Sequence, residues 1–137
     1  MPAVSVVMPA YNVAPYIGTS IASVCAQTFA DWELLIVDDG SIDDTAAIAE
    51  RFARADPRVR VLRQANGGIS AARNAALRQA AGEFIAILDS DDLWLPGFLA
   101  SQLAIFERRT RAGPLGAPSA RPVLTLVKPK RSTNSLL

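Results

Sequence analysis

Three carboxylates fall within four positions where an apolar run ends: Ile85-Ala86-Ile87-Leu88-Asp89-Ser90-Asp91-Asp92. Carboxylates this crowded repel one another unless a cation neutralises them. Oxygen ligands at a strand end suit Mg²⁺ or Mn²⁺. Such ions, held by one or two carboxylates, are commonly shared with substrate phosphates, so the cluster predicts a metal-bridged, phosphate-bearing ligand. Asp91 is the expected metal ligand, and Asp89 is placed to reach ribose hydroxyls. Asp92 has a second use, capping the helix that begins near Pro96. Two other motifs carry related chemistry. Tyr11, in Pro9-Ala10-Tyr11-Asn12, offers a flat face on which a nucleobase can stack. Asp39, in Asp38-Asp39-Gly40-Ser41, can accept the N–H of a uracil-like base, with one of Asp38 and Asp39 capping the following helix instead. Arg73 and Asn74 sit near a Gly pair, where they could meet phosphate, though an ion pair is an equal use for Arg73.

The elements that position these residues alternate strand and helix. Val4–Met8 is β-branched and apolar, and near-continuous apolar runs suit strands buried on both faces. From Tyr16 to Gln27, Ile17, Ile21, Val24 and Cys25 give one apolar helix face. Trp32 to Val37 reads as a second strand. Asp43 or Asp44 can cap a helix running to about Ala55, with Ile48 and Phe52 on its core side. Val59 to Leu62 is a short third strand. Asn66-Gly67-Gly68 needs backbone freedom. Ser70 is the expected cap of a helix through about Ala80, with Gly82 near its C-cap. Phe84 to Leu88 is the fourth strand. Pro96 is expected in the first turn of a helix carrying Leu99, Leu103 and Phe106.

This order predicts an α/β fold with a mainly parallel twisted sheet flanked by helices. The ligand crevice of such a sheet lies beyond its C-terminal strand ends. All three motifs fall there, after strands one, two and four, which is the main argument for a site.

The 137 residues are 50% hydrophobic and 20% charged, with a formal net charge of +1. That is one globular domain with no general attraction to nucleic acid. The absence of histidine removes Ser-His-Asp triads and His-ligated zinc. The single Cys25 fits a reducing compartment. Met1–Ser5 lacks the basic n-region and apolar segment of a signal peptide. The expected location is the cytoplasm, the inner face of the membrane included. There is no Gly-x-Gly-x-x-Gly after the first strand and no Gly-x-x-x-x-Gly-Lys-Ser/Thr, so the Rossmann and P-loop readings lack their phosphate-binding loops. A phosphoacceptor signalling domain would need a lysine near a late strand, and the only lysines are Lys128 and Lys130.

Four segments together resemble family 2 glycosyltransferases. Val4-Ser5-Val6-Val7-Met8-Pro9-Ala10-Tyr11-Asn12 is similar to the family's opening strand. Trp32 to Ser41 is similar to its second strand and nucleotide-binding turn, and Asn66 to Asn74 to the loop and helix after the third. Leu88-Asp89-Ser90-Asp91-Asp92 resembles its Asp-x-Asp motif. The resemblance covers about residues 3–109. It implies the GT-A fold, a nucleotide-diphosphate sugar donor (often UDP-linked) and Mg²⁺ or Mn²⁺ as cofactor. Pro9, Tyr11, Asn12, Asp39, Arg73, Asp89 and Asp91 are the implied donor-binding residues, with Asp91 on the metal. It further implies inverting transfer to an acceptor hydroxyl, carried by a carbohydrate or a lipid-linked sugar, with a carboxylate as base.

Residues 1–109 are thus read as the donor-binding half-domain and 110–137 as an atypical tail. Gly113-Pro114 and Arg121-Pro122 break the pattern, Val123–Val127 could form a strand, and Lys128–Leu137 reads as a disordered basic end. No Asp or Glu follows Glu107, so no acceptor-side base is found. The alternative is a non-catalytic nucleotide-sugar-binding remnant that lacks the acceptor half. A sheet ending at its fourth strand would leave an open edge, with oligomerisation or marginal stability expected.

Overall fold

A computed structural model describes residues 2–111 and 123–124. Nine elements follow in the order β1 (Val4–Ala10), α1 (Ala14–Cys25), β2 (Trp32–Asp38), α2 (Thr45–Ala55), β3 (Val59–Arg63), α3 (Ile69–Gln79), β4 (Phe84–Ile87), α4 (Phe98–Arg111) and β5 (Val123–Leu124). The strands form one sheet, ordered β3-β2-β1-β4-β5, and every pairing is parallel. The order reverses between β1 and β4, and a reversal of this kind opens a crevice between the loops that leave the two strands.

Alternation along β1 and β2 explains the layers. Val4, Val6 and Met8 of β1 and Leu34 and Ile36 of β2 face one way. They pack on Ile17, Ile21 and Val24 of α1, on Ala49, Ile48 and Phe52 of α2, and on Leu99, Leu103 and Phe106 of α4. Val7, Leu35, Val37 and Ile85 face the other way, onto Ala72 and Ala76 of α3. β1 and β2 are therefore buried on both faces, which is why their sequences are apolar but for Ser5, Glu33 and the terminal Asp38. The small alanines let α3 lie close to the sheet. The Phe106 ring meets Phe84 edge-on, with centroids 5.0 Å apart.

Local chemistry shifts several boundaries. The helix expected from Tyr16 starts at Ala14, with Pro15 in its first turn, where a missing N–H costs nothing. Ser70 is not the cap of α3: Gly68 holds the N-cap position without a side-chain bond, and Ser70 lies inside the helix. Pro96 lies in the turn ahead of α4 rather than in its first turn. The edge of β4 is not open, because Ile85 and Ala86 pair with Val123 and Leu124. Residues 125–127 of the expected Val123–Val127 strand and the expected basic end, Lys128–Leu137, lie outside the described residues.

Gly82 is not a helix cap either. A Cβ there would lie 2.6 Å from the backbone N of Ser5 and 2.8 Å from the carbonyl carbon of Val4. The close approach is held by a buried polar staple. The Gly82 N–H donates to Ser5 Oγ at 2.8 Å, Ser5 Oγ donates to Glu33, and the Ala81 N–H donates to Glu33 Oε2 at 2.7 Å. Gly82→Ala must push backbone from backbone at the start of β4. The expected cost is about 3 kcal/mol, a fall of roughly 10 °C in Tm. Thermal unfolding of the variant checks this, and an unchanged Tm would mean that the turn relaxes freely.

Candidate functional site

The crevice at the reversal point is a cavity of about 540 Å³, a size that fits a small organic ligand. Its walls come from the predicted strand ends. Pro9, Tyr11, Asp39, Asp89 and Asp91 all line it. Asn12, Arg73 and Asn74 are not among its lining residues.

The loops after β1 and β2 are laced together. Asn12 has φ +49°, a left-handed conformation that asparagine tolerates. Its Oδ1 accepts the Ile42 N–H at 2.9 Å, and its own N–H donates to Ser41 Oγ at 2.9 Å. The Val13 N–H donates to Thr45 Oγ1 at 2.9 Å. Asp43 accepts the N–H groups of Thr45 (3.0 Å) and Ala14 (3.2 Å). Asp43 therefore does the bonding at the start of α2, although Asp44 holds the N-cap position. Asp38 Oδ1 accepts the Ser41 N–H at 3.2 Å, which closes a turn rather than capping a helix. These bonds leave Tyr11 at the cavity mouth with 49% of its surface exposed, so its ring face is accessible.

Asp39 is almost wholly buried, at 3% exposure. Its Oδ1 accepts from Gln64 Nε2 at 2.7 Å and from the Gly67 N–H at 2.9 Å. Its Oδ2 accepts from the Gly68 N–H at 2.9 Å and from Asn66 Nδ2 at 3.3 Å. These bonds, that from Gln64 foremost, hold its carboxyl below the usual carboxylate range. One carboxylate thus fixes the whole entry to α3, which is the task expected of Ser70. Gly68 carries φ +96°, so the need for freedom at this loop is met there. Gly40 (φ +79°) allows the two loops to meet, since a Cβ on it would lie 2.8 Å from the Asn66 N.

Asp89, Asp91 and Asp92 each present an oxygen, all within 4.8 Å of one another. Two ligands on one Mg²⁺ at about 2.1 Å lie at most about 4.2 Å apart. Small rotations therefore bring a pair onto one ion, and the all-oxygen donor set suits a hard cation. Asp92 lies too far ahead of Phe98 to cap α4, and its N–H donates to the Asp89 carbonyl at 3.0 Å. Arg73 reaches the cluster as a cation: its Nη2 lies 3.4 Å from Asp89 Oδ1. Its Nε is buried without a hydrogen-bond partner.

Asn66, Ile69, Ala72 and Ser90 also line the cavity. Ile69 and Ala72 were missed as site residues because an apolar first turn reads as core. The signals were the Gly pair just ahead, which brings a helix start to a strand end, and the family resemblance of the Asn66–Asn74 segment.

The model for glycosyl transferase family 2 matches residues 5–135. The UDP-Glc:alpha-D-GlcNAc-diphosphoundecaprenol beta-1,3-glucosyltransferase WfgD of Escherichia coli is 45% identical over 103 residues, 74% of this chain and 40% of that protein. The crystal structure of S. aureus TarS 1-349 in complex with UDP-GlcNAc superposes with a TM-score of 0.73 at 35% identity, over 79% of this chain and 32% of that one. The mannosyltransferase PcManGT of Pyrobaculum calidifontis, in complex with GDP-Man and Mn²⁺, gives a TM-score of 0.65 at 33% identity, over 74% of this chain and 31% of that one. The chain therefore spans less than half the length of each of these three proteins.

Proposed function

The chain belongs to glycosyl transferase family 2 and has the GT-A arrangement, and from that premise we propose that its cavity captures a UDP-sugar for inverting transfer to an acceptor hydroxyl. One observation carries the reading: Tyr11, Asp39, Asp89 and Asp91, from three different strand ends, meet on one cavity at the reversal of strand order. The WfgD and TarS names, one a UDP-Glc transferase and one bound to UDP-GlcNAc, favour uridine over other bases. The acceptor class, by the WfgD name, is a sugar linked through diphosphate to a polyprenol lipid.

Each residue then has a task. Tyr11 stacks on the base, a contact worth ~1–3 kcal/mol by analogy with base stacking in nucleic-acid complexes. Pro9 and Asn12 shape the loop that presents it. Asp39 takes the base N–H by displacing its longest partner, the 3.3 Å contact from Asn66 Nδ2, while that amide keeps its 3.0 Å bond to the Asp39 carbonyl. Asp89 holds ribose hydroxyls, and Arg73, beside it, offsets diphosphate charge. Asp91, with Asp89 or Asp92, holds Mg²⁺ or Mn²⁺, which when bound supplies Lewis-acid stabilisation of the leaving nucleoside diphosphate. The acceptor oxygen bonds to the anomeric carbon from the face opposite the breaking C–O bond. Its proton passes to a carboxylate base. Among the described residues, the only cavity-lining carboxylates are Asp39, Asp89 and Asp91, and all three serve the donor.

Calorimetric titration with UDP tests the reading. Binding is expected with Mn²⁺ and is weakened at least about tenfold without it. Absence of binding to folded protein in Mn²⁺ would overturn donor capture, and tighter binding of GDP than of UDP would overturn the choice of base.

A further inference from the structure

The acidic turn is held from behind by α1. Ser20, Ser23 and Gln27 recur at i, i+3 and i+7, a polar stripe beside the apolar stripe of Ile17, Ile21 and Val24. Ser20 is fully buried, and a buried hydroxyl needs partners. Its Oγ lies 2.9 Å from the Ser90 carbonyl oxygen and also within reach of that of Asp92, so one proton is shared between two carbonyls of the turn. Ser23 Oγ accepts the Trp94 N–H at 3.2 Å. Gln27 Nε2 donates to the Leu95 carbonyl at 2.8 Å, and its Oε1 accepts the Leu99 N–H at 3.0 Å. Residues 90–97 form neither strand nor helix. Their backbone groups have no ladder to join, and Ser20 and Ser23 of α1, with Gln27 just past its end, take its place.

Helix stability does not explain the stripe, because alanine at position 20 would favour α1 by propensity. What the hydroxyl adds is a fixed backbone on either side of Asp91. We propose that Ser20 is a positioning residue for the acidic turn, acting with Ser23 and Gln27 to hold the Ser90 and Asp92 carbonyls so that the Asp89 and Asp91 carboxylates converge on one cation. The cation belongs to the donor-site reading above, and the inference rests on that reading. Groups that orient metal ligands from behind typically change metal affinity 10–100-fold when removed.

The test compares wild type, Ser20→Ala and Ala49→Gly. Ala49 is fully buried in α2, on an element that supplies no cavity residue, so Ala49→Gly is the control for general destabilisation. Mn²⁺ binding is read without nucleotide from the electron paramagnetic resonance signal of the free ion. Hydrogen exchange reports the amides of residues 89–95 and 97, Pro96 having none. Ser20→Ala is expected to weaken Mn²⁺ binding about tenfold and to speed exchange at 90–95, leaving α2 and α3 protected. Ala49→Gly is expected to lower Tm while changing neither readout. Wild-type Mn²⁺ affinity and exchange in Ser20→Ala would overturn the inference, as would the same losses in Ala49→Gly. If wild type itself holds no Mn²⁺, the metal reading fails and exchange alone decides: selective loosening at 90–95 sustains the positioning role, and unchanged exchange overturns it.

Discussion

Asp91→Ala is expected to abolish Mn²⁺-dependent UDP binding, a loss of at least about tenfold that matches removal of the ion, while stability changes no more than for a neutral surface substitution, about 0.5 kcal/mol. Both halves follow from the position of the side chain. Asp91 is exposed at the tip of the turn and lines the cavity. The turn is held by backbone bonds to Ser20 and Ser23 and by the Asp92–Asp89 bond, so removing the Asp91 carboxylate leaves its support in place. The cation then loses its exposed anionic ligand. Asp89→Ala differs, since it also strips Arg73 of its ion-pair partner and leaves a half-buried guanidinium uncompensated. Chelation adds an internal check: EDTA should weaken UDP binding to wild type and have no further effect on Asp91→Ala. Titration of the variant at wild-type affinity would place the cation elsewhere and end the metal assignment.

The strand ends were legible because burial on both faces leaves an uninterrupted apolar run that stops where the chain turns polar. Val4–Met8 and Trp32–Val37 show this directly, and each polar motif that follows them reached the cavity or its supporting loops. What the sequence hid is non-local. Ser70 satisfies every local rule for an N-cap, yet Asp39 does the work from another strand end. Gly82 resembles a helix stop, and its real constraint is the backbone of Ser5. Ser20 is an ordinary small helix residue until the fold places a turn 70 residues away against it. Local windows see propensity and period; they do not see which loop a carboxylate or hydroxyl will meet. Asn12 shows the converse. Its motif pointed to the site, but its side chain is spent on Ile42, so its contribution is the shape of the loop rather than the cavity wall.

Asp39→Asn separates the structural share of that residue from its share in binding. The amide keeps the volume but turns one acceptor oxygen into a donor, facing the N–H of either Gly67 or Gly68. Losing charge-assisted bonds to those groups, at about 1.5–3 kcal/mol each before relaxation, gives an expected destabilisation of about 3 kcal/mol at pH 7. The pH dependence identifies the carboxylate. Its folded pKa is lowered, by Gln64 first and then by the glycine amides. Its stabilisation is therefore fully present above the unfolded value of about 3.9 and is lost as pH falls through the lower folded value. Asp39 thus contributes no pH dependence between pH 5 and 8, and there is no histidine to add one. Below about pH 4 wild type loses stability, and Asp39→Asn loses less, so the two curves converge in acid. Asp43 and Asp56 are lowered as well, so the variant keeps an acid limb that is common to both curves and leaves the gap between them to Asp39. Urea denaturation from pH 3 to 7 measures both curves. A constant gap between them would show that the loop does not depend on the Asp39 charge. In that case the four contacts from Gln64, Asn66, Gly67 and Gly68 would follow from loop shape rather than cause it.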